Sequence, residues 1–290
     1  MQQSAATALF LPIALGIIML GLGLSLTLED FKRVTKYPKA ITIALVCQMI
    51  LLPALCFAIA IFSNLSAALS VGLVLLAASP GGPTANLYSH LSKGDVALNI
   101  TLTAVNSVLT LFTLPFVVNL GMEYFMGEGQ YIPLPFSKVI EVFVVVLVPV
   151  AIGMIIKSKA PGFADKMNKP VKILSAVVLI IIIVSITLRE KQVLTDHFAD
   201  LGIPVLLFNV ASLAVGYYLP LVFKVEKKQA IAIGMEIGIH NGTLAIYIAL
   251  NVLNNSAMSI PPAIYSLLMF FTAAAFGFIV NLGRKNSTNS

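Results

Sequence analysis

Charged residues are scarce in this sequence. Asp, Glu, Lys and Arg make up 10% of its 290 residues, while 59% are hydrophobic; a soluble domain carries roughly 25% charge. This composition excludes a soluble globular protein, because no soluble core of this size needs so much apolar surface. The apolar residues instead form runs of about 20, the length of a membrane-spanning helix. We therefore expect an all-α polytopic membrane protein.

Residues for redox, metal and nucleotide chemistry are also few. Cys47 and Cys56 both fall in one apolar run, which indicates buried thiols and neither a disulfide nor a metal site. The sequence has no HExxH motif, and Gly81-Gly82 lacks the lysine of a phosphate-binding loop. No Ser/His/Asp arrangement is apparent. We expect neither an enzyme nor an ATP-driven pump, with an intramembrane protease built on His and Glu as the enzymatic alternative.

Nine apolar runs divide the chain, and short connections join most of them. No boundary suggests a soluble domain, and the N-terminus lacks the basic region of a signal peptide. We expect nine transmembrane helices, at residues 5–28, 40–62, 66–92, 96–121, 139–156, 173–188, 201–223, 229–253 and 260–282.

The basic residues are distributed unequally between the two sets of connections. One set holds only Lys138, Arg189 and Lys191 of the 18 Lys and Arg residues, and the other holds the remaining 15. The positive-inside rule makes the richer side cytoplasmic. We expect a cell (inner) membrane protein with its N-terminus outside and its C-terminus in the cytoplasm. This asymmetry accounts for the net charge of +6 without a nucleic-acid partner, and nothing indicates an obligatory protein partner.

Two runs carry helix breakers in their apolar sequence. The third contains "SPGGPTANLYSH", with a predicted break from Pro80 to Pro83, and the eighth contains "GMEIGIHNGT", with a predicted break from Gly234 to Thr243. The two breaks correspond if runs one to four and six to nine form an inverted repeat, which is typical of transporters. Half-helix N-termini suit an anion, and freed carbonyls suit a cation. The alternative is that Pro and Gly only kink a packed helix.

Glu236 is the one acidic residue deep inside an apolar run. A carboxylate there costs about 2.5–3.5 kcal/mol on insertion scales, and no Lys or Arg at that depth offsets it. A bound cation is one partner; a protonated Glu in a structural hydrogen bond is the alternative. A hard cation such as sodium prefers oxygen ligands. The broken runs and their neighbours supply oxygen from Gln48, Asn86, Asn99, Thr101, Thr103, Asn106, Asn241 and Thr243.

His240 lies four residues after Glu236, one helical turn further on. It can pair with the carboxylate, titrate near neutral pH or ligate a metal. The alternative is a neutral imidazole bonded to freed backbone. Asn241, at the same break, is a candidate for contact with the substrate.

The chain resembles the bile acid:sodium symporter family at these residues. "SPGGPTANLYSHLSKGDVALNITLT" is similar to that family's Pro-Gly-Gly crossover and the polar helix after it, and "EIGIHNGTLA" is similar to its second crossover. The similarity covers nearly the whole chain and implies two broken helices that cross in a core domain. It also implies a panel domain of runs 5–28, 139–156 and 173–188, with the other six runs in the core. The chain resembles the nine-helix form, which lacks the first helix.

The resemblance also implies two sodium sites and a substrate site. The first sodium site takes Asn86, Thr103 and Glu236, with Asn99 where the family commonly has a serine. The second takes Gln48, Glu236 and the carbonyls of Ile237 and Ile239, with His240 in place of the family's usual Gln. The substrate positions are Pro83, Thr84, Asn241 and Gly242.

The leading hypothesis is therefore sodium-coupled symport of a small organic anion by alternating access. Bile acids, pantoate-like acids and keto acids all suit an anion site between helix ends. A proton-coupled carrier that uses Glu236 and His240 is the second hypothesis. A non-transporting membrane protein, such as a receptor or a channel, is the third.

Overall fold

The computed structural model describes residues 5–82, 84–127, 136–189 and 191–282. All the named elements in these ranges are helical, so the predicted all-α class is confirmed. The α-helices are α1 (Ala5–Gly23), α2 (Leu28–Lys32), α3 (Pro38–Val46), α4 (Leu52–Phe62), α5 (Ala67–Ala77), α6 (Ala85–Leu91), α7 (Val96–Met126), α8 (Phe136–Lys159), α9 (Pro161–Arg189), α10 (Lys191–Val222), α11 (Lys227–Gly238), α12 (Gly242–Tyr247) and α13 (Ile260–Leu282). A π-helical turn, Cys47–Leu51, joins α3 to α4, and another, Ile248–Val252, extends α12.

Six helices in the described ranges are long and apolar enough to cross a membrane. The number is seven if Pro12–Gly23 and Leu28–Lys36, which meet at an angle of 73°, form one bent span. The predicted runs 66–92 and 229–253 are each divided into shorter helices, which is what a break in a span produces. The multi-pass character is thus clear, whereas the count of nine spans stays a prediction.

Helix ends differ from the predicted run ends because a helix does not have to stop where the apolar run stops. Helix α9 begins at Pro161, 12 residues before the predicted run at 173. Helix α10 begins at Lys191, 10 residues before the predicted run at 201. The first break is longer than predicted, since α5 ends at Ala77 and α6 begins at Ala85.

The second break is shorter than predicted. Helix α11 continues to Gly238, so Gly234 and Glu236 lie inside a helix and not in a break from 234 to 243. Gly234 serves packing instead: a Cβ there would lie 3.2 Å from Phe276 Cζ and 3.3 Å from the Leu213 carbonyl oxygen. Gly234 and Gly238 form a GxxxG pair, a pattern that lets membrane helices approach closely.

The broken second span occupies the centre of the protein. Every residue from 230 to 250 is buried, and α11 packs against α6, α7, α10 and α13. Helices α1, α8 and α9 pack on one another at the side of this group. These three helices correspond to the runs predicted for the panel domain, although α1 ends at Gly23 and not at residue 28; the division into panel and core domains stays a prediction. One contact between the groups is a hydrogen bond from the Tyr247 hydroxyl to Glu141 Oε1, at 3.1 Å.

Candidate functional site

The two breaks lie against each other and pair through their backbones. Gly81 and His240 form an isolated antiparallel bridge. On its two sides, Gly82 N–H donates to the Ile239 carbonyl at 2.6 Å, and Asn241 N–H donates to the Pro80 carbonyl at 2.8 Å. A short piece of strand-like pairing therefore replaces the helical hydrogen bonds that both spans lose at the breaks, which fixes each break relative to the other.

Glu236 lies beside this crossing, in the last turn of α11, and is fully buried. Thr103 Oγ1 donates to its Oε2 at 2.6 Å, and Asn106 Nδ2 donates to its Oε1 at 3.2 Å. Gly81 packs directly on the carboxyl group, and a Cβ at that position would overlap it. No ion pair within the described ranges includes Glu236, and both of these hydrogen-bond donors are neutral groups of α7.

A buried polar stripe on α7 faces Glu236. Asn99, Thr103, Asn106 and Thr110 recur at spacings of three and four residues, which places them on one helix face. Asn99 Nδ2 donates to the Ala232 carbonyl of α11 at 2.7 Å, one turn before Glu236. The amide orientations of Asn99 and Asn106 are set because each nitrogen faces an acceptor. Their oxygens, both buried, have no hydrogen-bond partner among the described residues.

Gln48 and His240 meet at the carbonyl of Ser79. Gln48 Nε2 lies 2.9 Å from this oxygen and His240 Nδ1 lies 3.1 Å from it. Since a carbonyl only accepts, His240 carries its proton on Nδ1, and in the neutral ring Nε2 is a bare acceptor. Gln48 Oε1 and His240 Nε2 are both buried without a partner in the part of the chain that the structure describes. The His240 ring stacks on Phe208, with ring centroids 5.7 Å apart.

Asn209 and Tyr265 complete the crossing, although neither was predicted from the sequence. Asn209 Nδ2 and the Tyr265 hydroxyl both donate to the Gly238 carbonyl, at 3.1 and 2.9 Å. They satisfy a carbonyl at the C-terminal end of α11, where the last carbonyls have no N–H partner within the helix. An Asn in the middle of an otherwise apolar run was the available signal for Asn209.

The other predicted ligands are distributed around the crossing. Asn86 lies in α6, half-buried, and its Oδ1 is buried with no hydrogen-bond partner among the described residues. The Ile239 carbonyl accepts the Gly82 N–H, and Ile237 is fully buried in the last turn of α11. Thr103, Asn106 and Gly81 thus contact Glu236 directly, while the assignment of sodium ligands stays a prediction.

The predicted substrate residues lie at the starts of the second half-helices. Thr84 precedes α6 and is partly exposed. Asn241 caps α12, where its Oδ1 accepts the Leu244 N–H at 3.1 Å. Gly242 packs so closely on Ser266 of α13 that a Cβ would overlap the hydroxyl. Pro83 lies outside the described residues. The substrate role of all four stays a prediction.

Comparison with known proteins identifies the family of this chain. Residues 12–197, more than half of the chain, match the family described as the sodium bile acid symporter family. The chain belongs to this family. Its resemblance to the family, first seen in the two crossover motifs, is therefore confirmed.

Relatives in this family come from plants, bacteria and animals. The chain is 29% identical to the probable sodium/metabolite cotransporter BASS2, chloroplastic, of Oryza sativa subsp. japonica, over 91% of this chain and 62% of that protein. It is 27% identical to the uncharacterized sodium-dependent transporter YocS of Bacillus subtilis (89% and 78%). It is also 27% identical to the hepatic sodium/bile acid cotransporter of Rattus norvegicus (92% and 72%). The chain thus spans less than two thirds of the length of the rice relative.

Proposed function

We propose that this protein is a secondary active transporter that couples sodium movement to symport of a small organic anion. The observation that carries the proposal is an excess of buried acceptors around one buried carboxylate. Glu236 is surrounded by neutral groups, and the amide oxygens of Asn99 and Asn106 have no donor within the described ranges. Buried acceptors normally have donors, and a hard cation satisfies several oxygens at once.

Sodium is the cation that the comparisons favour. The description of the family and the names of the relatives above refer to sodium symport, sodium cotransport or sodium-dependent transport. The proposed sodium ligands are Glu236, Thr103, Asn99 and Asn86, as in the first predicted site, with Asn106 added from the structure. A second sodium ion would take Gln48, Glu236, His240 and the carbonyls of Ile237 and Ile239. Sodium is cargo in this scheme, so no enzymatic step or resident cofactor is proposed.

The proposed substrate site lies at the same crossing. Thr84 precedes α6, and Asn241 and Gly242 mark the start of the helical segment Gly242–Val252; Pro83 adjoins Thr84 in the sequence. Backbone N–H groups at helix starts favour anions, and relatives are named for bile acid and metabolite transport. We therefore propose an organic anion of the bile acid, pantoate or keto acid type.

Alternating access would come from movement between two groups of helices. Helices α1, α8 and α9 form one packed group, the proposed panel, and the helices around the crossing form the proposed core. Rocking of the core against the panel would expose the crossing to each side in turn. The unequal distribution of Lys and Arg supports a cell (inner) membrane topology with the N-terminus outside and the C-terminus in the cytoplasm.

Uptake into proteoliposomes tests the proposal. Taurocholate, pantoate and a short 2-oxo acid would be offered with an inward sodium gradient, with an inward proton gradient, or with neither, at equal membrane potential. Accumulation driven by sodium alone is the expected result. Accumulation driven only by the proton gradient would replace sodium by protons as the coupling ion. No accumulation or exchange of any of the three compounds would contradict the proposed substrate class.

A further inference from the structure

The exposed side of α9 carries a basic patch next to an apolar groove. Residues 157–172, which end α8 and begin α9, contain five lysines and one aspartate. Asp165 pairs with Lys157 at 2.5 Å, so this stretch keeps a net excess of positive charge. Lys166 and Lys169 are exposed and form no ion pair in the described part of the chain.

The groove begins at Lys169 and continues along the same helix face. Its volume is about 550 Å³, and it is lined by Lys169, Pro170, Ile173, Leu174 and Val177. The three aliphatic side chains are 56%, 46% and 46% exposed. A proline inside a helix removes a hydrogen bond and disturbs the preceding turn, which is consistent with a recess here. Lys166 lies four residues before Pro170, so the patch and the groove form one stripe.

The apolar stripe is long enough to accommodate an acyl chain of one leaflet. The exposed aliphatic residues continue past Ile180 to Leu188, and the 12 residues from Lys169 to Ile180 alone span about 16 Å at 1.5 Å per residue. The hydrocarbon core of a bilayer is about 30 Å thick, so one leaflet occupies about half of that. Two free ammonium groups at one end and an apolar groove of this length suit a headgroup phosphate and an acyl chain.

We propose that this stripe is a binding site for one anionic phospholipid of the leaflet that faces the basic ends of α8 and α9. The charge argues against a second copy of this chain as the occupant. Two copies that met symmetrically through this face would bring Lys166 and Lys169 next to the same residues of the partner, and like charges would repel. An anionic headgroup removes this repulsion. The site is remote from the crossing and goes beyond the proposed transport function.

Fluorescence quenching tests the site directly, because the sequence contains no tryptophan. Leu174→Trp in the full chain places one emitter in the groove, and phospholipids with brominated acyl chains quench tryptophan on contact. Brominated phosphatidylglycerol and brominated phosphatidylcholine would be titrated separately into bilayers of unlabelled phosphatidylcholine. Half-maximal quenching by phosphatidylglycerol should need at least about fivefold less lipid, since one lysine near a membrane surface is worth about that factor.

Two comparisons make the test specific. The double change Lys166→Gln and Lys169→Gln in the Leu174→Trp protein should abolish the preference for phosphatidylglycerol. Phe116→Trp on α7 is the matched control, because Phe116 is 79% exposed and α7 contains no Lys or Arg; both lipids should quench it equally. If Leu174→Trp fails to fold, judged by gel filtration and circular dichroism, Ile173→Trp takes its place.

Three outcomes would overturn the site. Equal quenching of the groove tryptophan by both lipids would show that the lysines do not select an anionic headgroup. A preference that survives in the double Gln variant would place the selective charge elsewhere. Absence of quenching by either lipid, with Phe116→Trp quenched normally, would show that protein covers the groove.

Discussion

Replacing Glu236 by Gln separates the charge of this side chain from its shape. Thr103 Oγ1 lies 2.6 Å from Glu236 Oε2 and 3.0 Å from the Asn99 carbonyl, and its single hydrogen serves one of them at a time. In Glu236→Gln, the new amide nitrogen can donate to Thr103 Oγ1 while the hydroxyl donates to Asn99. The remaining Gln oxygen still accepts from Asn106. The variant therefore keeps the hydrogen bonds of the buried group and loses only its charge.

The sign of the stability change follows from this geometry. A carboxylate in a membrane span costs about 2.5–3.5 kcal/mol, and sodium would offset this cost in the wild-type protein. In potassium, Glu236→Gln should therefore be as stable as wild type or more stable, by up to that amount. Sodium at about 100 times its Kd should stabilise the wild type by about 2.7 kcal/mol. The variant should gain nothing from sodium, because the charged ligand is gone.

Unfolding in detergent, in sodium or potassium at equal ionic strength, measures both effects. Uptake into proteoliposomes should lose its sodium dependence in the same variant. Glu123→Gln is the matched control, since Glu123 is exposed at the end of α7, and it should behave as wild type. The reasoning would be refuted if Glu236→Gln kept the sodium-dependent stabilisation, or if it unfolded far more readily than wild type in potassium.

Three further changes test the surroundings of Glu236. Thr103→Ala should raise the sodium concentration for half-maximal uptake roughly tenfold or more, because a hydrogen bond to a charged group is worth about 1.5–3 kcal/mol; an unchanged sodium curve would contradict this. Gly81→Ala should lower the free energy of unfolding by about 1–3 kcal/mol through overpacking on Glu236. Gly202→Ala is the control, because a Cβ there would meet no atom of another segment within 4 Å. This change should stabilise α10 by up to about 1 kcal/mol. Equal effects of Gly81→Ala and Gly202→Ala in thermal unfolding would argue against the contact between Gly81 and Glu236. Tyr247→Phe removes the hydrogen bond to Glu141 and should cost about 0.6 kcal/mol in the same assay; no loss would mean that this bond adds nothing to stability.

The sequence predicted the fold class and the key carboxylate because both have strong local signals. Long apolar runs indicate membrane helices regardless of tertiary contacts, and a carboxylate inside such a run is costly enough to stand out. The breaks were also predicted near the correct places. Their limits were not, because Gly marks a break in one place and a close helix contact in another. Gly234 packs between Phe276 and Leu213, and the sequence contains nothing that distinguishes the two uses.

Contacts between distant segments were the part that the sequence could not predict. Asn99 bonds to Ala232 and Thr103 bonds to Glu236, each across 133 residues. The polar side chains were visible as candidates, but their partners depend on how α7 and α11 pack. Asn209 and Tyr265 were missed for a related reason: their partner is the backbone of Gly238, and a backbone carbonyl has no sequence signature.

The structure also changes the role of the breaks in cation binding. The sequence suggested that carbonyls freed by the breaks suit a cation, but four of those at the crossing already accept hydrogen bonds. The acceptors that have donors are the carbonyls of Ser79, Pro80, Gly238 and Ile239. The buried side-chain oxygens without donors in the described ranges include the amide oxygens of Asn99 and Asn106 of α7. We therefore expect the breaks to contribute mainly by position: they pair with each other, and they place Gly81 against Glu236, where a Cβ would overlap the carboxyl group.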